Sequence, residues 1–203
     1  LLRDGMAGIG TVTYYDPATG SYGALGHSIN DPASGSVLSL SGGIITEAQV
    51  ADVLPGKAGQ AGELHGVFDT NVQLGSVLLN TAQGIFGRTN AWAGREAIPA
   101  AAEGEIADGP AVILANISGD EVCEYAVNIS KSGERLLVTV TDDALLSATG
   151  GIVQGMSGCP IIQNGKLVGA VTHVLVNDPA RGYGIPIYSM LEAAEEVAGQ
   201  PAA

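Results

Sequence analysis

Basic charge is scarce in this chain of 203 residues: eight lysines and arginines stand against 21 aspartates and glutamates, a net charge of −13. That balance would repel a phosphate backbone, so nucleic-acid binding is not expected. Long apolar runs are missing as well, and none comes near the roughly 18 residues that a membrane-spanning helix needs. The two cysteines, Cys123 and Cys159, are too few for a disulfide framework and too widely spaced for a zinc ribbon. They leave the redox compartment, and their own redox state, open. Aromatics make up only 4% and charged residues 14%, yet hydrophobic residues reach 46%, which excludes a disordered chain. The sequence opens at Leu1 and carries no signal-peptide pattern, so it reads as a piece of a longer protein.

What the chain has in quantity is glycine, 30 residues, with Val, Ile and Thr in short runs between them. Such patterning favours strands and turns over a helical bundle. Alternation appears in residues 9–15 and resumes in 22–29 after the turn-forming Asp16-Pro17-Ala18-Thr19-Gly20. Further strands are expected at 37–40, 62–68, 84–87, 111–117, 121–129 and 135–141. Residues 159–163 turn at Asn164-Gly165 into 167–172, and Asn-Gly is a strong type I′ hairpin signal. Only the end reads as helical: Met190, Leu191, Ala194 and Val197 keep a 3.6-residue period, and Gly199 and Pro201 stop it. The pattern implies an all-β barrel or sandwich with a C-terminal helix, in two lobes whose boundary falls near 90–109.

The chemistry concentrates in Gly150-Gly151-Ile152-Val153-Gln154-Gly155-Met156-Ser157-Gly158-Cys159-Pro160. A serine between glycines in a tight turn can expose its hydroxyl while neighbouring N–H groups converge on one point, the arrangement that stabilises an acyl-transfer oxyanion. A nucleophilic serine needs a base, and there are three histidines, His27, His65 and His173. His27 ends an alternating stretch, His65 lies within a strand, and His173 follows the Asn164-Gly165 hairpin. Cys159 is expected to be a small buried side chain rather than a rival nucleophile.

Taken with its hairpin, Gly155-Met156-Ser157-Gly158-Cys159-Pro160 resembles the nucleophile region of chymotrypsin-like serine peptidases. That resemblance implies a double β-barrel, an oxyanion hole built from the N–H groups of Gly155 and Ser157, and Thr172 beside the triad acid. A closer resemblance rests on several segments: Gly23-Ala24-Leu25-Gly26-His27-Ser28-Ile29, Gly84-Ile85-Phe86-Gly87, the Gly150 to Pro160 loop, Gly169-Ala170-Val171-Thr172-His173-Val174, Asn177-Asp178-Pro179 and Gly182-Tyr183-Gly184. These are similar to the SpoIVB peptidase family, the stage IV sporulation protein B peptidases, over nearly the whole chain. The resemblance implies a secreted or membrane-tethered serine endopeptidase in the space between forespore and mother cell, cutting a membrane-associated regulatory protein. It implies no metal and no cofactor. His27 and Ser157 match the family's catalytic positions, and Asp142, in Thr141-Asp142-Asp143-Ala144-Leu145-Leu146, matches its acid.

Asp69, about forty residues after His27, competes for the acid's role on spacing. Thr172, His173, Gly182 and Gly184 are expected to line the substrate cleft. The family's N-terminal anchor and PDZ domain, the latter a partner of the peptidase in the full-length protein, are not in this sequence. Cys159 stands where the family leads one to expect serine. Two readings from other classes compete: a catalytically silent module that binds a protein partner through the same cleft, and a structural β domain with His27 and Ser157 far apart.

Overall fold

Residues 7–40 and 42–198 are described by the computed structural model, so the helix stop signals Gly199 and Pro201 lie outside the described residues. Eleven strands form one open sheet and one closed barrel among them. The sheet, in the order β1-β2-β5-β4-β3, comprises β1 (Val12–Asp16), β2 (Ser21–Ala24), β3 (Gly43–Leu54), β4 (Glu63–Thr81) and β5 (Gly84–Thr89). The barrel, in the order β10-β11-β8-β7-β6-β9, comprises β6 (Gly109–Ala115), β7 (Cys123–Ser132), β8 (Arg135–Val140), β9 (Pro160–Gln163), β10 (Lys166–Leu175) and β11 (Asp178–Pro186). Residues 90–108 connect the two and hold only a short 3-10 turn, Glu103–Glu105. A short helix, α1 (Asp143–Thr149), precedes the serine loop, and α2 (Ile187–Ala198) follows the last strand. The all-β fold with a C-terminal helix is therefore as expected, with a half-barrel sheet in place of a first closed barrel.

The barrel forms because alternation of buried and exposed residues runs through its strands, as in β6 and β8. Ile113, Val138 and Ile161 are fully buried inside it, with Val127, Leu136 and Val168 beside them. Each such side chain contributes roughly 1.5–3 kcal/mol by leaving water. The Asn164-Gly165 turn has φ of 52° and 73°, the positive pair that a type I′ hairpin requires. Between barrel and sheet lies a smaller cluster in which Phe86 of β5 meets Leu167 and Ala170 of β10, and Ile187 and Met190 of α2 close over them.

Several expectations need correction. Residues 37–40 form no strand and make only the single bridge Asn30↔Val37. The strand expected at 62–68 runs on to Thr81, and β3 opposite it was not anticipated. Most residues of this long hairpin stay exposed, so neither strand carries a period that burial would impose. Helix α1 was also unanticipated, although Asp142 caps its start and Gly150, in the left-handed region, ends it.

Candidate active site

Ser157 sits in a loop pinned at both ends. Ile152 N–H donates to Pro179 O at 2.8 Å and Gln154 N–H to Gly62 O at 2.9 Å, tying the loop to β11 and to the base of the β3–β4 hairpin. On the other side Thr11 N–H donates to Ser157 O and Gly158 N–H to Val171 O, both at 2.8 Å. Gly158 has φ +90°, and a Cβ there would lie 2.1 Å from Thr11 O, so only glycine fits between the serine and the first sheet. The half-buried Ser157 hydroxyl donates to Thr172 O at 2.9 Å. The N–H groups of Gly155 and Ser157 have no hydrogen-bond partner among the described residues, whereas those of Met156, Gly158 and Cys159 are all taken.

His27 reaches this point from the other sheet. After β2 the chain passes through Leu25 and Gly26, with φ of 68° and 69°, and packs so tightly that a Cβ on Gly26 would lie 2.9 Å from Thr172 Cγ2. The turn that carries His27 and the Ser157 hydroxyl thus both meet Thr172, which removes the reading in which the two residues lie far apart. The His27 Nδ1–H donates to Ser28 O at 2.8 Å; a carbonyl can only accept, so the proton is on Nδ1 and the Nε2 lone pair is available. The His173 ring lies 4.8 Å from the His27 ring, centroid to centroid, tilted by 40°. Partial loss of water around this still accessible ring, then the His27 and Arg135 charges, push the His173 pKa below its ordinary value. His65 stands apart on β4, exposed, with Glu63 at 3.6 Å.

Asp142 is not brought to His27, and its assignment as triad acid needs correction. Its Oδ1 accepts from Ala144 and Leu145 N–H, each at 3.0 Å, and its Oδ2 from Ala126 N–H at 3.3 Å. Those donors, Leu145 first, hold the carboxyl below its usual range. Asp142 is the N-cap of α1, bound to β7, with three backbone N–H groups on its carboxylate. Asp69 accepts from Asn71 and is exposed on β4. A backbone carbonyl, Ser28 O, occupies the place expected for an acid. Gly182 and Gly184 are likewise not cleft walls. Both are buried; a Cβ on Gly182 would meet His173 O at 2.5 Å and Ile152 Cδ1 at 2.7 Å, and one on Gly184 Ala170 O at 2.8 Å and Ile161 Cδ1 at 3.1 Å. Glycine there lets β11 lie flat on β10 against the barrel core. Thr172 is buried and donates to Tyr183 O at 3.1 Å, while His173 is exposed at the edge of the site.

Three contributors escaped the sequence reading. The backbone amide of Thr11 holds Ser157 O, and the Ser28 carbonyl holds His27. Asn80 clamps the chain just past His27: its Oδ1 accepts from Ile29 N–H at 2.9 Å, and its Nδ2 donates to Ile29 O at 2.7 Å and Leu38 O at 2.9 Å. The first two act through backbone atoms and carry no side-chain signal. Asn80 leaves a faint one, as the polar residue ending the apolar Val77-Leu78-Leu79. Cys159 is buried, and burial pushes its thiol up to about 11, which suits packing and not nucleophilic attack.

A serine in a glycine-rich loop leading into a closed antiparallel barrel, with a histidine brought to the same threonine by a turn from a second sheet, is the layout of a chymotrypsin-like serine peptidase. Residues 1–191 match the family model of SpoIVB peptidase S55, and the chain belongs to that family of serine peptidases. No curated protein matches it. Among solved structures it is similar to Rv3671c from M. tuberculosis H37Rv, a serine-to-alanine mutant in its inactive form, at 12% identity. The likeness covers 77% of this chain and 88% of that one, with a TM-score of 0.47, and informs neither the site nor the reaction.

Proposed function

We propose that Ser157 is the nucleophile and His27 the general base of an endopeptidase that cuts a regulatory protein during sporulation. The observation that carries this reading is the meeting of the Ser157 hydroxyl and the His27 loop at Thr172, beside two unengaged N–H groups. The Ser157 hydroxyl turns from Thr172 O to His27 Nε2, gives up its proton and attacks the substrate carbonyl carbon. The N–H groups of Gly155 and Ser157 hold the oxyanion. His27 then passes the proton to the departing amine as the C–N bond breaks, and water, activated by the same Nε2, releases the acyl half. Ser28 O does the orienting work of a triad acid by fixing the tautomer. Being neutral, it stabilises the imidazolium less than a carboxylate would.

The finer part of the proposal rests on the sequence resemblance alone: a secreted or membrane-tethered enzyme between forespore and mother cell, acting on a membrane-associated regulator, with a PDZ domain in the full-length protein. A fluorophosphonate probe tests the chemistry. Labelling confined to Ser157, and lost in Ser157→Ala, is the expected result. A folded protein that takes no label would favour the silent binding module.

A further inference from the structure

Beside Gly155 lies a cavity of about 290 Å³ that the catalytic scheme leaves unused. Ile9 and Thr11 form one wall, Val50 and Leu64 of the long hairpin a second, and Leu114 and Val122 of the barrel a third. The cavity is joined to the serine on two sides: Thr11 N–H holds Ser157 O, and a Cβ on Gly155 would lie 3.0 Å from Leu64 Cβ. No charged residue is among those that line it, in a chain with 29 lysines, arginines, aspartates and glutamates by the sum of 8 and 21. Its volume is near the lower end, roughly 300 Å³, of small-molecule pockets, which suits one substrate side chain.

We propose that this cavity is a specificity subsite for an apolar side chain, aliphatic or aromatic, within the first two residues on the leaving-group side of the cut bond. The proposal rests on Ser157 being the nucleophile. Its side follows from the two flanks of the serine loop. On one flank, pairing of β9 with β10 ends at Ala170↔Pro160, so from His173 onward β10 has β11 on one side and no described strand on the other. That edge can take an extended peptide by main-chain hydrogen bonds, the grip the acyl half needs because it stays bound through both half-reactions. Thr172 and His173 do not line the cavity, which is bounded instead by Ile9 and Thr11, apart from the open edge of β10. The departing half passes there, where a side-chain pocket raises the acylation rate and adds nothing once the amine has left.

The test cleaves a randomised peptide library with the protein and reads the residues on both sides of each cut by mass spectrometry. Enrichment of Leu, Ile, Met or Phe at the first or second position after the bond is expected, with kcat/KM falling roughly tenfold or more when Asp replaces that residue. Ala48→Trp, on an exposed stretch of β3 and projecting into the cavity's lining, should depress cleavage of the preferred peptide at least tenfold more than hydrolysis of a nitrophenyl ester with the same acyl half. Apolar enrichment confined to residues before the bond, no enrichment after it, or equal losses on peptide and ester would overturn the proposal. Ser157 that takes fluorophosphonate without apolar enrichment sinks the subsite alone; Ser157 that takes none sinks the nucleophile reading and the subsite with it.

Discussion

The closed barrel and the open sheet handle the same polymer differently, and the site needs both. Every barrel strand has a partner strand on two sides, and the barrel interior holds side chains at or near zero exposure. The sheet ends in β1 and β3, and its long hairpin exposes Val67 and Phe68. Ser157 hangs from the barrel and His27 from the sheet. The closed body thus holds the nucleophile and its oxyanion donors, which must be placed within tenths of an ångström. The more open body brings the base, held by Ser28 O, the His173 ring and the Asn80 clamp.

The largest effect breaks the pairing of the two bodies at the site itself. Ser157→Ala on the barrel side and His27→Ala on the sheet side should each lower kcat/KM by about 10⁴-fold or more, and the double variant should fall little further, since the two act as one unit. Additive losses in peptide hydrolysis would mean that the bodies act independently. Next come the cores. Ile113→Ala, at 0% exposure in the barrel, should cost toward the upper end of about 2–5 kcal/mol, and Ile85→Ala, at 7% in the sheet, toward the lower end. Denaturant midpoints that rank the two the other way would reverse the contrast.

A smaller effect separates capping from acid catalysis at Asp142. Asn caps a helix about as well as Asp, so Asp142→Asn should keep kcat within a few-fold, and Asp142→Ala should lose about 1 kcal/mol of stability. A fall near 10⁴-fold in Asp142→Asn with folding intact would restore Asp142 as the acid. The smallest effect is a slope with pH. The His173 pKa is depressed in the folded chain, so below the unfolded value of about 6.5 the unfolded chain binds more protons. The contribution of neutral His173 is complete above that pH and is lost as pH falls toward the folded pKa. His173→Phe should flatten the dependence of stability on pH in this window, and an unchanged slope in thermal melts would remove His173 as its source.

Legibility followed burial. Strands β6, β7 and β8 could be read because their inner residues are buried in strict alternation, and the Asn164-Gly165 hairpin because its turn chemistry is local. Strand β3 and residues 67–73 of β4 could not, because exposure on both faces leaves no period to read, and residues 74–81 are partly buried on both faces, which leaves none either. At the site, Ser157 was legible through its glycine-rich loop, and His27 through the likeness of residues 23–29 to the SpoIVB peptidases. Asp142 misled because a helix cap and a triad acid are the same residue in sequence; they differ only in which N–H groups reach the carboxylate.

The amino-acid order alone determined a β-rich chain with a C-terminal helix, the glycine-rich loop that carries Ser157 and the hairpin behind it. Each of these depends on residues within a few positions of one another, through turn conformation, alternation or helical period. Only the tertiary structure decided that one lobe closes and the other stays open, that Asp142 serves α1, that Ser28 O holds His27, and that Gly182 and Gly184 face the core. Those outcomes turn on backbone groups and on contacts between residues far apart in sequence. Side-chain identity does not record where a main-chain carbonyl will come to rest.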